Sequence, residues 1–122
     1  MIRLGTAFKC TEPPYHRCVV ISDPEYNGGL VLLVRLTSDD GTWPDRDCLL
    51  APVDWSELDR PSTVAYSTCK YGPAVAALEQ ALNRGLFMPI SSPSRDVLRK
   101  MISAGRQSAG MSPEAKKWLA HV

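Results

Sequence analysis

The chain alternates clearly in only one region. In Leu30-Val31-Leu32-Leu33-Val34-Arg35-Leu36-Thr37 the even positions are wholly apolar, whereas the odd positions pass from Val31 and Leu33 to Arg35 and Thr37. A period of two predicts a strand with its even side in the core, and with Arg35 and Thr37 emerging together near its end. Upstream, Arg17-Cys18-Val19-Val20-Ile21-Ser22 is a β-branched run stopped by Asp23-Pro24. Asn27-Gly28-Gly29 supplies the turn between the two runs, so they read as antiparallel neighbours. Cys48-Leu49-Leu50 is a brief third strand and Thr63–Cys69 a fourth.

After Gly72 the period changes. Pro73 fits a first helical turn, and Val75, Leu78 and Leu82 recur on one side of a helix closed by Gly85. Leu86–Ile90 reads as an apolar extended link. Ser92-Pro93 and Ser112-Pro113 are start signals for two further helices, one buried through Val97, Leu98, Met101 and Ile102, the other docked through Trp118 and Leu119. The pattern predicts a mainly β fold with appended helices in a single domain, 1–122. A barrel-like core over about 1–72 precedes a helical extension, 73–122, lying on one side of the sheet.

Composition narrows this further. The 122 residues hold 14 basic and 13 acidic side chains, for a formal charge of +1, so bulk charge selects no partner. Its distribution is uneven: residues 1–90 carry a net −3 and residues 91–122 a net +4, from Arg95, Arg99, Lys100, Arg106, Lys116 and Lys117. That tail suits a solvated helical face or a phosphate backbone. Cys10, Cys18, Cys48 and Cys69 lack paired metal-ligand spacing, so reduced structural thiols in a cytoplasmic protein are expected, with no zinc. The acidic stretch with Asp39, Asp40, Asp45 and Asp47 lacks a calcium-loop pattern and reads as a solvated loop. No apolar run exceeds five residues, so neither signal peptide nor membrane span is expected. No phosphate-binding loop or hydrolase elbow is present, and no cofactor is implied.

One polar cluster carries potential chemistry. Antiparallel pairing would bring Tyr15, His16 and Arg17 beside Leu36 and Thr37. Such a group can cleave RNA without metal: one side chain deprotonates the ribose 2′-hydroxyl, a cation stabilises the phosphate, and an acid protonates the departing 5′-oxygen. From the residues alone, solvated strand-edge polarity is the competing reading.

The segments Tyr15–Pro24, Tyr26–Gly29 and Leu32–Ser38 together resemble the first half of the PemK/MazF family of toxin endoribonucleases. The resemblance spans about residues 14–38. It implies a small SH3-like, CcdB-like barrel that forms a homodimer, cuts single-stranded RNA and is neutralised by an antitoxin. Carried over by position, Arg17 matches the catalytic arginine, as electrostatic stabiliser and proton donor, and Thr37 the active-site threonine that orients the phosphate. His16 adjoins them as a third candidate. The alternative is a non-catalytic barrel protein of phage or mobile-element type that binds protein or nucleic acid.

Overall fold

The structure is a computed structural model that describes all 122 residues. Seven strands form one bent sheet: β1 (Ala7–Cys10), β2 (Arg17–Val20), β3 (Leu30–Ser38), β4 (Leu49–Leu50), β5 (Ser62–Val64), β6 (Lys70–Ala74) and β7 (Phe87–Ile90). The helices are α1 (Val75–Asn83), α2 (Arg95–Gln107) and α3 (Pro113–Lys117). The sheet runs β4-β5-β3-β2-β1-β7, and β6 also pairs with β3. Every pairing is antiparallel, and the sheet with its appended helices is of the expected small-barrel type.

β2 and β3 are antiparallel, with Arg17 opposite Leu36 and Val19 opposite Val34. Their connection turns through Gly28 and Gly29, whose φ angles of 65° and 79° favour glycine. The buried Ser22 hydroxyl accepts the Leu32 amide at 2.7 Å and closes this hairpin. The far edge of β3 is shared: Leu36–Ser38 pairs with β5, and Leu30–Leu33 with β6.

Alternation along β3 gives the sheet two dry faces. Val19, Leu32, Val34, Leu36 and Val64 enter the larger core with Met101, Ile102 and Leu119 from the C-terminal elements. Phe8, Val20 and Val31 form a smaller core with Leu78 of α1. The helices therefore do not all lie on one side, as the sequence suggests. Val31 and Leu33 extend apolar character to the second face, and α1 covers it.

The short strands show the largest departures from the sequence pattern. Gly72-Pro73 lies within β6 rather than opening a helix, because the register with β3 shifts between Leu30 and Leu32 and demands no regular ladder there. Phe87–Ile90 is a strand on β1, not a free link. The Ser94 hydroxyl, rather than Ser92, caps α2, accepting from the Val97 amide at 3.2 Å. α3 starts at the expected Ser112 cap. Leu119 is fully buried, Trp118 packs against the large core, and its ring lies 5.9 Å from that of Tyr71.

Two of the basic tail residues are committed locally. Arg106 donates to the carbonyls of Leu119 and Val122, and Lys100 to that of Leu49.

The acidic stretch is ordered from within. Arg46 holds Asp39 at 2.6 Å, and Asp40 accepts from Thr42. Asp45 is buried and accepts from the Trp43 indole and the Ser67 hydroxyl. A Cβ at Gly110 would approach the Asp45 carboxylate to 2.3 Å, so that position has no room for a side chain.

Tyr66, fully buried, ties the sheet to α2 by donating its hydroxyl to the Met101 carbonyl at 2.6 Å. Replacing it with phenylalanine removes one buried hydrogen bond and little volume. Tyr66→Phe is expected to lose about 1 kcal/mol, seen as a lower urea midpoint at unchanged slope. An unaltered midpoint would show that the bond contributes nothing to holding α2.

Candidate functional site

The end of the β2–β3 pair opens into a cavity of about 160 Å³ lined by Tyr15, His16, Arg17, Thr37, Asp59 and Ser62, among others. Each wall has a structural cause. Arg17 begins β2 opposite Leu36; extending that register by one residue brings His16 level with Thr37. Thr37 is in turn paired with Thr63, and Ser38 with Ser62. Arg17 shares a sheet face with Leu36, whereas Thr37 follows Arg35 onto the other face. The two reach one cavity because it lies at the strand ends.

The chain reaches β2 through a tight turn. Tyr15 donates its amide to the Glu12 carbonyl, and the His16 carbonyl accepts from Cys10. Tyr15 itself has a φ of 57°, an uncommon conformation for an aromatic residue. Its ring is half exposed, with the Lys9 ammonium 5.9 Å from the ring centroid. A second depression, lined by Lys9, Tyr15, Arg17, Asp59 and Arg60 among others, continues from the first. All three residues assigned from the sequence therefore line one cavity. Asp59, Ser62 and the flanking Lys9 and Arg60 went unnoticed. Asp59 arrives on the loop before β5, a segment without hydrophobic periodicity, anchored by the Trp55 indole to the Ser91 carbonyl at 2.9 Å and by Glu57 to the Ser91 amide at 2.7 Å.

Two guanidinium donors beside His16 are left without acceptors. The Nε atoms of Arg17 and Arg35 are both buried without a hydrogen-bond partner. Neither arginine forms an ion pair; those in the protein are Arg46–Asp39 and Arg60–Asp59. Unpartnered buried donors carry a desolvation cost that an incoming oxyanion removes. Burial, followed by the Arg35 charge, holds the His16 imidazole below its ordinary value of 6.5, against the opposing effect of the Leu36 carbonyl. The shift favours the neutral imidazole, the form able to take a proton.

The cysteines are placed for packing. Burial, reinforced by adjacent Cys10, pushes the Cys18 thiol up to about 12. Burial also raises Cys48 and Cys69, so these three stay protonated. No three His, Cys, Asp or Glu side chains converge as a metal-binding group.

The fold is a small PemK/MazF-like barrel with appended helices. The chain is similar to one chain of the MazE–MazF complex from Deinococcus radiodurans in two crystal forms. Against form II the TM-score is 0.55 at 18% identity, covering 91% of this chain and 97% of that one. Against form III it is 0.54 at 18%, covering 91% and 98%. No protein-family model matches the sequence, and no curated protein matches it. No helix is long and apolar enough to cross a membrane.

The histidine environment is directly measurable. The ring-proton titration of His16 is expected to have its midpoint below 6.5 and to move upward in Arg35→Gln, because a repelling cation is lost. With the folded value depressed, the stability linked to His16 is fully present above the unfolded value and is lost as pH falls through the folded one. A midpoint unmoved by Arg35→Gln would remove Arg35 as a cause.

Proposed function

We propose that the protein is a MazF-like endoribonuclease that cleaves single-stranded RNA without a metal cofactor, with His16, Arg17 and Thr37 as its catalytic residues. The observation that carries this reading is a histidine biased toward its neutral form in one cavity with Thr37 and with Arg17, whose Nε has no acceptor. His16 takes the proton from the ribose 2′-hydroxyl. The 2′-oxygen attacks phosphorus, and the bond to the 5′-oxygen breaks. Arg17 stabilises the charge accumulating on the phosphoryl oxygens. The guanidinium is too weak an acid to give up a proton at neutral pH, so the leaving oxygen takes one from water that Arg17 orients, and the hydroxide left behind takes the proton held by His16. The products are a 2′,3′-cyclic phosphate and a 5′-hydroxyl.

Thr37 orients the scissile phosphate by hydrogen bonding from the strand end. Lys9, Arg17 and Arg60 along the continuing depression suit the backbone of a single strand, and the half-exposed Tyr15 offers a stacking face. The same reading includes a homodimer and an antitoxin partner, in keeping with the MazE–MazF complexes of like fold.

Purified protein incubated with single-stranded RNA in EDTA is expected to cut at defined positions. Arg17→Ala and Thr37→Ala, with unchanged circular dichroism, should each lose about 10²–10³-fold in rate. The rate should fall as pH drops through the depressed His16 titration, because the base becomes protonated. Absence of cutting across varied sequences would favour the non-catalytic binding reading, and variants as active as the parent would reject Arg17 and Thr37 as the site.

A further inference from the structure

Behind His16 lies a separate cavity of about 230 Å³ on the sheet face that carries Cys18 and Arg35. Its interior is apolar. Phe87, whose ring centroid lies 4.6 Å from that of Phe8, forms a flat wall beside Leu33 and the Cys10 and Cys18 thiols. Its remaining polar side chains are cationic or neutral: Arg35, Lys70, His16 and Thr68. No carboxylate lines it.

The two cations are neighbours by register. Lys70 pairs with Leu33, two residues before Arg35 on β3, and both charges act on the Cys18 thiol of β2. Neither cation forms an ion pair, and Arg35 Nε is buried without an acceptor. The site thus combines an aromatic wall with an unanswered demand for anionic oxygen. Its volume falls below the roughly 300–1,000 Å³ of sites for drug-sized ligands, so it suits one small monomer unit rather than an extended chain.

We propose that this cavity binds a single nucleotide unit, with the base against the Phe87 ring and the phosphate held by Arg35 and Lys70. Aromatic side chains accept any base by its π-face. A guanidinium–phosphate contact supplies the directional half of the recognition. His16 lines this cavity as well as the strand-end cavity, so an occupant sits directly behind the imidazole. The binding stands whether or not the neighbouring site cleaves RNA.

The test is titration of the full chain with uridine and adenosine 5′-monophosphates, followed by amide and methyl NMR shifts, with the nucleosides and inorganic phosphate as separate probes. Saturable shifts centred on Leu33, Arg35, Lys70 and Phe87 are expected, with each monophosphate binding more tightly than its nucleoside or phosphate alone. Arg35→Gln should weaken the monophosphates about tenfold and leave the nucleosides unaffected. Lys70→Gln, at an exposed position, repeats that test without disturbing packing. A short single-stranded RNA that displaces the mononucleotide from the same residues would identify an RNA nucleotide as the source, and one that does not would identify a free nucleotide. The proposal is overturned by shifts that map elsewhere, by phosphate alone binding as tightly as the monophosphate, or by affinity indifferent to both substitutions. A chain that binds the monophosphates here yet cuts no RNA would sink the cleavage reading alone.

Discussion

Everything in this molecule is referred to β3. Its nine residues hydrogen-bond to β2 along one edge and to β6 and then β5 along the other, so the pleat of this strand sets the facing of its neighbours. Even positions stay apolar throughout and seat α2 and the C-terminal turn through Met101, Ile102 and Leu119. Odd positions are apolar only at Val31 and Leu33, where α1 covers them, and become Arg35 and Thr37 beyond its reach. Both cavities lie where this second face loses its helical cover. Structure and candidate chemistry therefore depend on the same alternation.

A second consequence concerns charge. Residues 1–90 are acidic in sum, yet the cavity region presents cations without partners. The acidic residues between β3 and β5 explain this, because many of them are engaged elsewhere. Asp39 holds Arg46, Asp45 gathers Trp43 and Ser67, Asp47 accepts from Ser108, and Asp54 from the Ala51 amide. Asp59 alone among these carboxylates reaches the cavity, and it sits against Arg60. Net charge is thus a poor guide to the local potential near Arg17 and Arg35.

The elements legible in the sequence are those whose pattern is self-contained. β2 and β3 announce themselves through β-branched and alternating residues, and α2 through its helical apolar period, although its cap is Ser94 and not the expected Ser92. Because an antiparallel hairpin has one register that buries its apolar side, the meeting of His16, Arg17 and Thr37 was legible too. β1, β6 and β7 were not, since none has more than five residues and two contain proline. They are strands because neighbours offer them partners, which local propensity does not record. Asp45 illustrates the same limit: its sequence neighbours suggest solvent, whereas Ser67, 22 residues away, and Gly110 enclose it along with the Trp43 indole.

The two ends of the sheet bear on how copies of this chain can meet. One end is the two-residue β4; the other is β7, four residues long and carrying Pro89, which has no amide hydrogen. Open strand edges are where chains recruit one another into continuous sheets, and short or proline-bearing edges are poor templates for that growth. Growth of a continuous sheet from copy to copy is therefore disfavoured at both of these ends, even at high concentration.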